Sequence, residues 1–172
     1  MRIVDSFLEE LNLEAATTRR VLERVPEAHL GWQPHQKSMS LGQLATHVAT
    51  LPGLVREFLA VDVLDFDSVP KDPPTIASHA DLLAAFASSI DQARSYLAAL
   101  SDDRATSAWR LVAGERLLLA APRTAILRSF LFNHWYHHRG QLVVYLRLLD
   151  VSVPSVYGPT ADENPFADVQ QQ

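Results

Sequence analysis

The chain has 172 residues, a net charge of −5 at neutral pH and no cysteine. That length allows one domain with a sizeable core, and a 48% hydrophobic share is that of a globular chain, not a disordered one. Two lysines and thirteen scattered arginines form no basic stripe, which argues against a nucleic-acid partner, and the lack of Cys excludes disulfides, thiolate ligands and a protein thiol nucleophile.

The opening Met1-Arg2-Ile3-Val4-Asp5 leads straight into an amphipathic pattern, without the apolar core of a signal peptide. No apolar run reaches the roughly 18 residues of a membrane span, so a cytoplasmic protein without a membrane partner is expected.

The first predicted helix covers about 2–25. Val4, Phe7, Leu8, Leu11, Ala15, Thr18, Leu22 and Val25 fall on one face, and Pro26 closes it. Residues 29–35 form a loop by their Gly and Pro content. Ser40 is the expected N-cap of the second helix, with Gln43 completing a capping box. Leu41, Leu44, Val48, Leu51, Val55 and Phe58 make its apolar face. Pro52 interrupts the pattern and removes the donor to the Val48 carbonyl.

Residues 62–77 read as a long acidic, proline-rich connection. Ser78, with Asp81, opens a third helix marked by Leu82, Leu83, Phe86, Ile90, Ala93, Leu97 and Leu100. Residues 101–122 read either as a short hairpin about Ala113-Gly114 or as an irregular loop. The fourth helix is predicted from Pro122–Thr124 to about Leu149. Ile126, Leu127, Phe130, Leu131, Leu142, Tyr145 and Leu149 support it. The tail around Val153–Pro159 is expected as an extended strap. Together these elements predict an all-α fold: one domain over 1–172, built as a four-helix bundle. The long second and third connections argue against a plain up-down order.

Seven histidines occur, and three fall within five residues of the fourth helix. His134 and His138, four apart, share one helix face with Cβ atoms about 5–6 Å from each other. Two imidazoles so placed can reach a single ion. The face is the inward one, shared with Leu127, Leu131, Leu142 and Tyr145. His47 is likewise inward, on the line of Leu44, Leu51 and Phe58. A lone inward His is usually a hydrogen-bonded core residue. Two neutral imidazoles in an apolar stripe are costly unless both are satisfied, which one metal ion does. His137 faces about 100° away from His138, as a surface or interface residue does, and is a rival ligand at i+3 from His134. His29, His35 and His79 sit in loops or caps.

No Glu or Asp stands three residues before any His, so neither the Glu-x-x-His pattern of di-iron bundles nor His-Glu-x-x-His is present. A histidine-only site suits Zn, Ni, Cu or Fe better than Mg or Ca. Gly140 inside a helix costs about 1 kcal/mol relative to Ala, and a close helix crossing or an adjoining ligand would explain it. Asn133, Arg139, Gln141 and Tyr145 are candidates to orient the imidazoles. For Arg139 and Gln141 a solvated helix face is the alternative. The Trp109 region is expected to be exposed and to permit a homodimer.

These residues carry a resemblance to a known family. The segments are Leu30-Gly31-Trp32-Gln33-Pro34 through Ser38–Leu44 to His47, then Asn133–Leu142, then Val153–Glu163. In them the chain resembles the DinB family, the damage-inducible-like helical bundles grouped with YfiT. The resemblance implies a four-helix bundle with a three-histidine metal site, here His47, His134 and His138, holding one divalent transition metal such as zinc or nickel. It also implies that dimers are common. Some relatives are metal-dependent transferases or isomerases using a low-molecular-weight thiol such as bacillithiol or mycothiol, and others look like hydrolases. The expectation is therefore a metal-dependent enzyme acting on a small molecule, a thiol-dependent transferase or hydrolase, with Tyr145 or Gln141 orienting the incoming group. The alternative is a non-catalytic, metal- or ligand-binding stress-response protein.

Overall fold

Ser40 opens α2 (Leu41–Leu59) by accepting from the Gln43 amide at 3.2 Å, while Gln43 Oε1 accepts from the Ser40 amide at 2.8 Å. The two bonds satisfy orphan donors of the first turn, as the capping box anticipated. The computed structural model describes residues 2–69 and 76–167, so Pro70, Lys71, Asp72, Pro73 and Pro74 of the acidic connection lie outside the described residues.

α1 (Asp5–Leu22) buries Phe7, Leu11, Ala15, Thr18 and Leu22, the face read from the sequence. α3 (His79–Ala99) begins at Ser78, whose hydroxyl accepts from the Asp81 amide at 3.1 Å, and it buries Leu82, Phe86, Ile90, Ala93 and Leu97. The fourth helical stretch is a composite. α5 (Arg123–Ile126) runs into a π-helical segment (Leu127–Asn133), and that runs into α6 (His134–Leu148). The backbone stays right-handed helical at both junctions.

The π segment corrects the sequence reading of Phe130. A π turn holds more residues than an α turn, so the apolar rows slip in phase. Phe130 turns outward to 40% exposure and Phe132 turns fully inward.

α1 packs on α3 and α6, and α2 packs on the same two helices. Consecutive α1 and α2 thus stand at opposite corners, and the bundle is not a plain up-down one. The helices enclose the core, which includes Leu11, Leu44, Val48, Leu97, Phe132 and Trp135.

The all-α expectation needs correction, because a small three-stranded sheet caps the bundle. β2 (Ala108–Ala113) and β3 (Arg116–Pro122) form an antiparallel hairpin, which resolves the ambiguous 101–122 region. Gly114 takes a φ of +56° at its turn, a conformation that favours glycine. β1 (Val63–Asp65) adds in parallel to β2. Three residues inside an acidic connection carry no alternating pattern, so this strand gave no sequence signal. A short helix, α4 (Asp102–Thr106), precedes the hairpin.

Trp109 is a second correction. It is 1% exposed, and its indole N–H donates to the Phe58 carbonyl at 2.9 Å, so it belongs to the core and offers no surface. Arg123 fastens the same corner. Its fully buried guanidinium reaches Asp62 Oδ1 at 2.6 Å and donates to the Val61 carbonyl at 2.8 Å, the Leu59 carbonyl at 3.1 Å and Ser107 Oγ at 2.7 Å. A planar fork with five donors can close the C-terminus of α2 in this way.

Pro52 opens the hydrogen-bond ladder of α2, and neighbouring helices close it. The buried Val48 carbonyl, left without a donor four residues on, accepts the Trp135 indole N–H at 2.9 Å. The Gly53 amide donates to Ser89 Oγ at 2.7 Å, and that hydroxyl donates to the Thr50 carbonyl at 3.0 Å. A buried carbonyl without such a partner costs about 1–3 kcal/mol.

Candidate metal centre

His47 projects from α2 between the buried residues Thr46 and Val48, and His134 and His138 stand one turn apart on α6. Their imidazoles converge. His134 Nε2 lies 3.4 Å from His47 Nε2 and 2.8 Å from His138 Nε2, and one ligand atom from each ring falls within 4.8 Å of the others. Nitrogens held about 2.0–2.1 Å from a tetrahedral ion stand roughly 3.3 Å apart. The His47–His134 separation matches that value, and the His134–His138 separation is somewhat tighter.

Protonation supports the same reading. His138 Nδ1 lies 2.8 Å from Gln141 Oε1, an acceptor, so Nδ1 carries the proton and Nε2 turns a lone pair to the centre. Burial, then the His138 and His134 charges, pull the His47 pKa down to about 4. His134 is lowered by burial and by His138 and His137, while hydrogen bonding to the Phe130 carbonyl works in the opposite sense. His138 is lowered by burial and His137, with Gln141 opposing. Neutral imidazoles aiming lone pairs at one point repel unless a cation lies between them, and the lowered pKa values disfavour a proton in that role. The donor set therefore fits a transition-metal ion.

The other sequence candidates fall around this centre. Gln141 touches His138 as anticipated. Tyr145 does not touch the histidines. Its hydroxyl donates to the Met39 carbonyl at 3.3 Å and its ring packs edge-on against Trp32, 5.6 Å between centroids. Asn133 is exposed. His137 is exposed too; its ring lies against His138, 4.9 Å between centroids, and it is not one of the converging three.

Arg139 points away from the site and is 1% exposed, which excludes the solvated-face reading. It pairs with Glu14 Oε2 at 2.6 Å and donates to Thr18 Oγ1 at 2.9 Å and to the Tyr157 hydroxyl, with its guanidinium near the rings of Tyr136 and Tyr157. Gly140 has no atom within 4 Å of where a Cβ would stand, so a close helix crossing does not explain it. The tight approach between helices is at Gly53, where a Cβ would stand 3.1 Å from Ser89 Oγ, and one at Gly42 would stand 3.0 Å from the Leu30 carbonyl. His79 and His35 keep local roles, with His79 Nε2 3.1 Å from the Leu22 carbonyl and His35 Nδ1 accepting the Lys37 amide at 3.1 Å.

The sequence alone did not single out Trp135 or the π segment beside His134. A proline four residues after a buried position was the available signal for the first, since it leaves a carbonyl needing a donor.

Comparison with known proteins gives the family. The family model for the DinB family matches residues 1–166. The chain belongs to the DinB family. YrdA of Bacillus subtilis (strain 168) is 24% identical over 160 residues, covering 93% of this chain and 91% of YrdA. Among solved structures, a DinB-like protein from Bacillus cereus ATCC 10987 superposes with a TM-score of 0.70 at 21% identity, covering 89% of this chain and 97% of that one. A DinB-like protein from Bacillus subtilis, YjoA, gives a TM-score of 0.66 at 16% identity, covering 92% and 98%. At these identities the structural likeness carries the fold alone. The three-histidine cluster of this DinB-family member rests on its own geometry. No helix among the described residues is long and apolar enough to cross a membrane.

Proposed function

We propose that His47, His134 and His138 hold one divalent transition metal, zinc or nickel, and that the protein is a metal-dependent enzyme acting on a small molecule. The observation that carries this reading is the convergence of the three Nε2 atoms, with His134 Nε2 at 2.8 and 3.4 Å from the other two. Three neutral ligands leave the full 2+ charge on the ion and a fourth position for an exogenous group. Zinc in such a site lowers the pKa of bound water to about 7 and equally favours a thiolate.

The chain's own residues set the remaining conditions. Gln141 holds the Nδ1 proton of His138 and so keeps its Nε2 free for the ion. Among the described residues no carboxylate joins the cluster, so the three histidines alone leave the ion's charge for an anionic fourth ligand to meet. The sequence contains no Cys, so a thiol reaction draws its nucleophile from a low-molecular-weight thiol in solution. The fitting reactions are thiol transfer to a small electrophile and hydrolysis.

Elemental analysis of untagged protein tests the site, with one bound metal per chain expected and lost in His138→Ala. Retention of stoichiometric metal by that variant would remove His138 from the ligand set. Turnover of electrophiles with a panel of low-molecular-weight thiols, beside ester and amide substrates, then separates transferase from hydrolase. No turnover by the metal-loaded protein on either panel would favour a non-catalytic binding protein instead.

A further inference from the structure

The hydrogen bond that repairs α2 also lies beside the metal centre. Val48 immediately follows His47, and Trp135 immediately follows His134. The 2.9 Å bond from the Trp135 indole to the Val48 carbonyl therefore joins α2 to α6 one residue away from a converging histidine on each helix. Both residues are fully buried. The carbonyl is available because Pro52 has no N–H to give it.

We propose that the Pro52-released Val48 carbonyl and the Trp135 indole form a positioning pair that sets the placement of His47 against His134. The inference rests on the metal reading for its purpose and on the hydrogen bond for its geometry. Apolar burial defines the rotation of these helices only loosely. α6 buries Trp135, His138, Arg139, Leu142 and Leu146, a stripe about 100° wide in which only three of the five are apolar, and α2 is buried on most of its faces. A metal site tolerates departures of only about 0.5 Å and 10–20°, so any freedom of the helices to slide or rotate must be held below that. A directional bond between buried groups removes that freedom. A second backbone group beside Pro52, the Gly53 amide, goes to Ser89 on α3. Repair of the ladder therefore does not in general require a partner on α6, and the indole connects specifically the two ligand-bearing helices.

A double substitution separates positioning from structural repair. Trp135→Phe leaves the Val48 carbonyl without a donor. Adding Pro52→Ala returns an N–H from within α2, so the carbonyl is paired again while the link to α6 stays cut. This double variant keeps its buried polar groups satisfied and is the form expected to fold.

Untagged parent, single and double variants are compared by thermal melting and by zinc affinity against a chromophoric chelator. In metal-free protein, the nuclear Overhauser effect between the His47 and His134 Hε1 protons is also compared. The expected result is a lowered melting temperature for Trp135→Phe that the double variant recovers. Zinc affinity falls about tenfold or more in both, and the His47–His134 contact is lost. A double variant with the parent's zinc affinity and the parent's His47–His134 contact would overturn the proposal. Failure of the parent itself to bind zinc counts against the metal reading alone, because the proton contact is read without metal.

Discussion

Burial takes His47 to a pKa of about 4, and the same cause lowers His134 and His138. A histidine whose folded pKa lies below its unfolded value of about 6.5 is protonated first in the unfolded chain. Its contribution to stability is complete above about pH 6.5 and is lost as the pH falls from there toward 4. Metal-free protein is therefore expected to lose stability across that window. His47→Gln removes one titrating group and flattens the slope of unfolding free energy against pH, measured by denaturant titration at several pH values. An unchanged slope would show that His47 is not held neutral.

At this scale the sequence was informative for the three converging histidines and less so for the residues around them. His-x-x-x-His on an apolar face and an inward His47 were legible from helical spacing alone. The Gln141 contact follows from i+3 geometry. Tyr145 was expected beside the imidazoles, but its hydroxyl goes to Met39, in a loop whose path no periodicity describes.

Helical elements followed their apolar spacing and caps closely, and they failed where the period itself changes. The π segment displaced Phe130 and drew in Phe132, and no single-residue preference marks such a turn. β1 escaped because three residues are too few to show alternation, and the hairpin stayed ambiguous because Leu117-Leu118-Leu119-Ala120-Ala121 shows no alternation of apolar and polar residues. Gly140 belongs to this scale as well. Mid-helix, with open space where a Cβ would stand, it contributes no packing. Gly140→Ala is expected to stabilise the protein by about 0.5–1 kcal/mol in chemical denaturation. Destabilisation would mean that a Cβ at this position disturbs the folded chain despite the open space around it.

Across the whole molecule, the tail ties the bundle together beside α6. Arg20 donates to the Ser155 carbonyl at 3.2 Å and pairs with Glu163, and Asp162 accepts the Val153 amide at 2.8 Å. Tyr157 joins the Arg139–Glu14 pair, its hydroxyl 3.1 Å from Glu14 Oε2. The strap was legible from its prolines, but its anchor was not, since Arg139 read equally well as a solvated residue. Removing one member of a buried pair strands the other, so Arg139→Ala should cost about 3 kcal/mol of folding stability in urea titration. A loss below about 1 kcal/mol would mean that Glu14 finds water without penalty.

The bundle order brings α2 and α6 side by side although 74 residues separate Leu59 from His134 in the numbering. X-ray absorption at the zinc edge of untagged, zinc-loaded protein tests that convergence most directly. Three imidazole nitrogens at about 2.0–2.1 Å with one exogenous ligand, reduced to two nitrogens in His47→Ala, is the expected result. A zinc shell unaltered by His47→Ala, or protein that retains no zinc, would contradict a metal centre built from these three histidines.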